Sequence, residues 1–286
     1  VRVRSHGWLG WSARTMCGRA RFSATSETVM RRARVRDSSR WQDKELYHPR
    51  FNVQPGYWTP VVLQQNGERC LHTMKWGLVP HFSKKHERPD HFRMFNARSE
   101  TIHERSSFRH LLKSKRCVVM LDGFYEWQKL AGKKQPYHVY KVTEDGEEPQ
   151  PLFCAALYDT WEDEQGYKLY TFTILTTRSN AQLSWLHDRM PLILPDNEAV
   201  DAWLGCAAST YPAKSQGDRE AGACQEKGDW PQSRKPLGPD EIAYLLSPYG
   251  GDDLKWHKVN PEVGKIVFEG EECIKEYNPP PPKRES

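Results

Sequence analysis

The feature that most constrains the fold of this chain is a series of short segments rich in β-branched and aromatic residues, separated by turn dipeptides that end in glycine. Strands joined by such turns pair as hairpins, so the sequence predicts a mainly antiparallel β-sheet. The predicted strands span residues 60–64, 71–76, 116–121, 137–142, 151–158 and 167–176. The turn dipeptides are Asn66-Gly67, Ala131-Gly132, Asp145-Gly146 and Gln165-Gly166.

Helical patterns are fewer and shorter than strand patterns. Apolar spacing predicts helices over 26–36, with Ser26 as N-cap, over 179–187 and over 197–204, and a short helix over 240–246. A closing strand is predicted over 255–259 and again over 265–268. We therefore expect a single α+β domain dominated by a mainly antiparallel sheet with a few short helices.

Composition excludes a membrane-spanning protein and gives no sign of a metal site. The chain is 37% hydrophobic and 28% charged and contains no long uncharged apolar run, and the apolar part of residues 1–15 is too short for a secretory signal. Its seven cysteines form no Cys-x-x-Cys pair. We expect reduced thiols in a cytosolic or nuclear compartment, no bound metal and no cofactor.

The charge is unevenly distributed along the chain. The net charge is +5, yet residues 1–40 hold ten arginines against two acids. A second basic tract covers 81–116, with ten lysines and arginines against four acids, and phenylalanines interrupt it. Such a tract suits a polyanion with stackable bases, which means nucleic acid, although a solvated basic face has the same composition.

Three segments read as additions to the domain. Residues 205–238 are rich in Ala, Ser, Gly, Lys, Gln and Pro without periodicity, which is typical of a disordered insertion. Residues 278–286 form a Pro-rich, basic tail, and residues 1–15 form an N-terminal extension. The predicted domain spans 16–277.

The segment Met16-Cys17-Gly18-Arg19 matters because of what Cys17 becomes when it is the first residue of a chain. Its α-amine then has a pKa near ~7.7 to 8.0 and is partly neutral at physiological pH. The amine forms a Schiff base with an aldehyde, and the thiol closes a thiazolidine on the same carbon. An internal Cys17 keeps its thiol but loses this chemistry, because a peptide nitrogen is not a nucleophile.

Two titratable side chains stand beside aromatic or charged residues. Glu126 follows an apolar strand and lies among Phe124, Tyr125 and Trp127, where loss of water would raise its pKa and suit it to proton transfer. His187 precedes Asp188, and an imidazole titrates near neutral pH. On their own, each is as easily a structural residue.

The order and spacing of several segments together resemble the SOS-response-associated peptidase (SRAP) family. The resemblance spans Met16 to about Tyr277, broken by the insertion, and as an ordered set it is highly specific. Its segments are Met16-Cys17-Gly18-Arg19, Asn52-Val53-Gln54-Pro55-Gly56, Trp76-Gly77-Leu78-Val79-Pro80, Asn96-Ala97-Arg98, Phe124-Tyr125-Glu126-Trp127 and His187-Asp188-Arg189-Met190-Pro191.

The resemblance implies a role for each matched position. Cys17, after loss of Met16, is the nucleophile, and Asn96 positions it. Glu126 orients the amine and moves protons during Schiff-base formation and reversal, and His187 protonates the sugar ring oxygen. The implied DNA contacts are Arg19, Pro55, Trp76, Phe82 and Arg98, with Arg98 on a phosphate and Phe82 where the family usually has Trp.

The implied function is a covalent crosslink to abasic sites in single-stranded DNA, with self-reversal and self-cleaving peptidase activity. A monomer in the nucleus, at replication forks, is implied as well. We expect synthesis to start at Met16; self-cleavage before Cys17 is the alternative. The alternative functions are a non-covalent module for single strands or modified cytosine, including 5-hydroxymethylcytosine, and a general cysteine protease.

Overall fold

The computed structural model describes residues 18–130, 133–143, 149–205 and 245–279. The strands are β1 Ala20–Phe22, β2 Trp41–Gln42, β3 Arg50–Val53, β4 Trp58–Gln65, β5 Glu68–Trp76, β6 Asn96–Arg98, β7 Arg116–Leu121, β8 Gly123–Leu130, β9 Lys133–Val142, β10 Pro149–Gln150, β11 Leu152–Glu162, β12 Lys168–Arg178, β13 Arg189–Pro191, β14 Ile193–Leu194 and β15 Leu254–Lys258. The helices are α1 Ser26–Ala33, α2 Ser106–Arg109, α3 Leu111–Ser114 and α4 Asn197–Leu204, with short 3-10 turns at Ser38–Arg40, Lys44–Leu46, Ser99–Thr101, Pro261–Gly264 and Glu271–Cys273.

Two sheets organise the fold. The first has the order β10-β9-β8-β1-β3, with β15 also paired to β9, and every described pair in it is antiparallel. The second has the order β13-β12-β11-β7-β4-β5-β2. In it β5 also pairs with β12, in parallel, so five strands close into a barrel. The predicted mainly antiparallel α+β fold is confirmed.

The core lies where the strands are buried on both faces. All six residues of β7 are buried, as the continuous apolar run from Cys117 to Leu121 predicts for all but the first, Arg116. Helix α4 covers this strand, and its Trp203 Nε1 donates to Cys117 O at 2.9 Å. Fully burying a large apolar side chain stabilises a fold by roughly 1.5–3 kcal/mol, so Trp76, Trp203 and Phe172 are major contributors.

Two of the predicted helices form. Helix α4 has the predicted bounds, with Asp196 as its N-cap. Helix α1 ends earlier than predicted, because Arg34 adopts a left-handed conformation with φ 59°. Its N-cap is Thr25 rather than Ser26, since the Thr25 side chain accepts a hydrogen bond from Thr28 N.

The predicted helix over 179–187 is wrong; this stretch is a loop of turns. Ser179 N donates to Asp188 O at 3.0 Å and closes the loop. The Asn180 side chain accepts from Leu183 N and donates to Tyr249 O, so local and distant bonds replace those of a continuous helix. We call residues 179–188 the His187 loop.

The predicted strand over 265–268 is also wrong, because its carbonyls bond to the side chain of Asn52 instead of a neighbouring strand. The first part of the closing strand is confirmed as β15. Residues 1–15, nearly all of the predicted insertion and the end of the tail lie outside the described residues, as does most of the helix predicted over 240–246. Within the described ranges, no helix is long and apolar enough to cross a membrane.

Candidate active site

The site begins where the N-terminal segment joins the first sheet. Cys17 lies outside the described residues, and Gly18, the first described residue, is buried. Strand β1 pairs with β8 through Ala20 and Phe124, and Tyr125 N donates to Arg19 O at 2.9 Å. Gly18 therefore leads into the sheet beside the strand that carries Glu126.

A buried polar network holds this segment in place. Arg19 is only 6% exposed, and its guanidinium donates to Asn52 Oδ1 at 2.9 Å and to Gly264 O at 2.8 Å. Asn52, fully buried, donates through Nδ2 to the carbonyls of Val263, Lys265 and Phe268. Burial lowers the pKa of the Arg19 guanidinium. In this conformation Arg19 organises the protein interior, and the DNA contact that the resemblance implies for it stays a prediction.

Glu126 lies on β8 with its side chain toward the main core. The neighbouring Tyr125 and Trp127 project from the opposite face, against Val259 and the C-terminal turns. Glu126 is 4% exposed, and its Oε1 accepts a hydrogen bond from Trp127 N at 3.2 Å. The carboxylate is therefore buried, as predicted, but two of the three aromatic residues next to it in sequence lie on the other face of the sheet.

His187 has two partners for a single ring nitrogen. Its Nδ1 lies 2.7 Å from Asp188 Oδ1 and 3.2 Å from the backbone N of Arg189. A protonated Nδ1 donates to the carboxylate, whereas a bare Nδ1 accepts from the amide. Each protonation state at this atom therefore has a partner, and the partly exposed ring suits proton transfer.

The His187 loop joins β12 to β13 in the second sheet and packs against the first sheet. At its centre, the ring of Trp185 lies 5.0 Å from the ring of Tyr137, which is paired with Glu126 across the first sheet. Directly after the loop, Arg189 forms a two-pronged ion pair with Glu100, at 2.8 and 2.9 Å. Because directly opposed residues of an antiparallel pair project from the same face, the loop packs on the Glu126 face of the sheet.

Asn96 and Arg98 lie on β6, alongside β12. Both line a cavity of about 430 Å³ that also includes Arg93, Arg105 and Ser107. Asn96 is half-buried, with a fully buried Oδ1, whereas Arg98 is exposed. Three arginines around one cavity can bind phosphate oxygens, because guanidinium donors match their geometry.

The Glu100–Arg189 pair joins this cavity wall to the His187 loop. Partial burial, the largest single influence, raises the pKa of Glu100, but the hydrogen bond from Arg189, a backbone hydrogen bond and the charges of Arg189 and Arg178 together lower it below its ordinary value. Of the predicted catalytic residues, Asn96, Glu126 and His187 therefore lie on elements joined by packed rings and ion pairs.

Three residues predicted to contact DNA differ in their solvent exposure. Trp76 is fully buried, and its Nε1 donates to Phe95 O at 2.9 Å, so it packs inside the barrel rather than on a base. Pro55 is buried beside it, since Gly56 N donates to Trp76 O at 2.7 Å. Phe82 is 58% exposed and free to stack.

Sequence reasoning missed three positioning residues, Asn52, Trp185 and Arg189. Asn52 and Arg189 stand inside segments that carry the family resemblance, so that signal was present in the sequence. The role of Trp185 was not predicted, because residues 179–187 were wrongly predicted to be a helix.

Comparison with known proteins identifies the family of this chain. Residues 16–221 match the family described as SOS response associated peptidase (SRAP). The chain is 36% identical over 222 residues to the abasic site processing protein HMCES of Gallus gallus, covering 67% of this chain and 66% of that protein. It is 30% identical over 264 residues to the abasic site processing protein YoqW of Bacillus subtilis, covering 92% of this chain and 100% of that protein.

Solved structures share the fold. A crystal structure of a Bacteroides thetaiotaomicron protein superposes with a TM-score of 0.69 at 23% identity, covering 92% of this chain and 100% of that one. A Bordetella bronchiseptica protein has a TM-score of 0.61 at 23% identity, covering 85% of this chain and 100% of that one.

Proposed function

Because the chain belongs to the SOS response associated peptidase family, we propose that it processes abasic sites in single-stranded DNA by covalent attachment through Cys17. The observation that carries this proposal is the path of the described N-terminal segment. It joins the sheet directly after Gly18, beside the strand of buried Glu126, and the His187 loop packs on the Glu126 face of that sheet. A terminal amine supplied there would meet a carboxylate and an imidazole.

The proposed reaction needs Cys17 as a chain terminus, so Met16 and anything before it must be removed first. The abasic sugar opens to its aldehyde, with His187 protonating the ring oxygen. The Cys17 amine then adds to the aldehyde carbon, and loss of one water gives a Schiff base. The Cys17 thiol adds to that carbon and its proton goes to the imine nitrogen, which closes a thiazolidine.

Glu126 is the proposed proton carrier in these steps. A buried carboxylate takes a proton from the amine as it adds and returns it as water leaves. The same transfers run backwards, so Glu126 also serves release of the crosslink. Its burial keeps bulk water from competing for the proton.

Binding of the DNA strand is assigned to the exposed basic surface. Arg98, with Arg93 and Arg105 around the same cavity, holds phosphates, while Asn96 positions the reacting Cys. Phe82 stacks on a base. Such binding depends on counterion release and weakens as salt increases.

The test is adduct formation with an oligonucleotide that carries one abasic site, followed by denaturing electrophoresis. A chain starting at Met16 gives an adduct that resists denaturation, whereas Cys17→Ala gives no denaturation-resistant adduct. Cys17→Ser keeps the amine but not the thiol, so its adduct survives only after borohydride reduction of the Schiff base. Cys273→Ala, at another cysteine of the described residues, serves as the matched control and crosslinks normally.

Two results would overturn the proposal. One is an adduct that persists in Cys17→Ala without reduction. The other is equal crosslinking by an untrimmed chain starting at Val1, because its Cys17 has no free amine.

A non-covalent single-strand binding module is the second candidate. The exposed Phe82 and the arginine-lined cavity favour it, since neither requires Cys17. It predicts that Cys17→Ala leaves binding of intact single strands unchanged and that no adduct forms with any variant. We further propose that the protein acts in the nucleus, at replication forks, as a monomer, and that its peptidase activity is limited to exposing Cys17.

A further inference from the structure

We propose that His81, His110 and Asp159 form a binding site for a divalent transition metal of the zinc class. The three residues come from separate parts of the fold: the loop after β5, the junction of α2 and α3, and the middle of β11. Each offers one ligand atom, and these atoms lie within 4.8 Å of one another. This cluster is not apparent in the sequence, because its members are far apart along the chain.

Among the residues that the structure describes, one ring nitrogen of His110 has no hydrogen-bond partner. Its Nδ1 lies 3.1 Å from Ser106 O, and a carbonyl can only accept, so Nδ1 carries the proton. In the neutral ring Nε2 is then a bare lone pair, and it is buried without a hydrogen bond. Metal-binding histidines are commonly fixed in this way, by donation from the other nitrogen to a carbonyl.

Asp159 supplies a buried negative charge. It is 3% exposed, and its Oδ2 accepts from His81 N at 2.9 Å, while its Oδ1 accepts from Thr160 N at 2.9 Å. Among the described residues, its only ion-pair partner is His81, whose Nδ1 lies 3.0 Å from Oδ2. A buried carboxylate is stable only when paired or bound to a cation, and a divalent metal would meet that need more fully than one imidazole.

The geometry needs little change to hold a metal. Ligand atoms around a tetrahedral zinc lie about 3.3 Å apart, given bonds of about 2.0–2.1 Å. The His81–Asp159 distance of 3.0 Å is already close to that value. The rings of His81 and His110 are in contact, with centroids 5.1 Å apart, so only a small shift brings Nε2 into range.

The remaining coordination position would belong to water, since the His81 side chain is 54% exposed and leaves the site open to solvent. Two imidazoles and one carboxylate favour Zn²⁺ or Co²⁺ over Mg²⁺ or Ca²⁺. A bound ion would join the loop that carries Phe82 to the barrel. It would therefore order part of the surface beside the candidate active site.

The test uses the full chain, stripped with a chelator and titrated with Zn²⁺ by calorimetry and with Co²⁺ by visible absorption. The wild type binds one ion at this site, and the Co²⁺ complex has the absorption of a four-coordinate nitrogen and oxygen site. His81→Ala and His110→Ala each weaken Zn²⁺ affinity by more than about tenfold. His86→Ala, an exposed histidine of the same loop, is the matched control and binds as the wild type does.

The variants also separate folding from binding. His81 is largely exposed, so His81→Ala folds, as judged by its circular dichroism and thermal transition. Equal Zn²⁺ affinity in wild type and the His81→Ala, His110→Ala double variant would overturn the proposal and place any metal on other residues. Absence of binding by the wild type would overturn it as well, leaving His81 and Asp159 as a simple hydrogen-bonded pair.

Discussion

Asn52 offers the sharpest test of how the N-terminal segment is held. Asn52→Ala removes one hydrogen bond from a charged donor, Arg19, and two amide hydrogens shared among three carbonyls. A bond to a charged group contributes about 1.5–3 kcal/mol and each neutral bond about 0.5–1.5 kcal/mol. We therefore expect the free energy of unfolding to fall by about 4 kcal/mol, because the groups left behind, the Arg19 guanidinium among them, are buried or partly buried.

The assay is equilibrium unfolding in urea, read as a shift of the midpoint at constant slope. Gln64→Ala, at a half-buried amide on β4, is the control and costs less than about 1 kcal/mol. Asn52→Asp keeps the acceptor for Arg19 but replaces the donors with a charge facing carbonyl oxygens, so it is also destabilising. Equal stability of Asn52→Asp and wild type, or a loss below about 1 kcal/mol in Asn52→Ala, would refute this account of the network.

Two further predictions concern the core and its response to acid. Trp76→Ala lowers the free energy of unfolding by about 3–5 kcal/mol, as measured by urea unfolding. Phe82→Ala leaves that free energy nearly unchanged and weakens single-strand binding by about 1–3 kcal/mol, as measured by fluorescence anisotropy. The reverse pattern would contradict the roles assigned to the two residues. Burial, followed by the charges of Arg21 and His257, puts the pKa of His138 well below its ordinary value. The unfolded chain binds the proton first as pH falls below about 6.5, so stability declines by up to about 1.4 kcal/mol per pH unit. His138→Leu removes this contribution, and parallel stability–pH profiles for the two proteins would show that His138 is not its source.

Sequence patterns within a few residues correctly predicted those strands and helices that are stabilised by features of the same few residues. The apolar run of β7 and the capped helix α4 formed with the predicted bounds, because burial on both faces and a capping side chain are visible within a few residues. The ordered motifs likewise located Asn96, Glu126 and His187. Their assigned roles remain predictions.

Contacts between distant segments were not visible in the same way. The parallel pairing of β5 with β12 closes the barrel and turns Trp76 inward, so a residue predicted to meet DNA became part of the core. Residues 179–187 have helical apolar spacing but form a loop, in which the Asn180 side chain donates a hydrogen bond to the distant Tyr249 O. A metal-ligand pattern split over three elements has no fixed spacing for a sequence search to detect.

The hydrogen bonds from Arg19 and Asn52 to residues 263–268 also indicate where the folded domain ends. The family match stops at residue 221, yet Arg19 and Asn52, which hold the N-terminal segment in place, donate hydrogen bonds to carbonyls well beyond that point. Strand β15 and the turns after it are therefore part of the same folding unit as Gly18. A protein shortened to the matched region would lose the carbonyl acceptors of a buried guanidinium, which would keep only Asn52 Oδ1, and the segment that begins at Gly18 would be held less firmly.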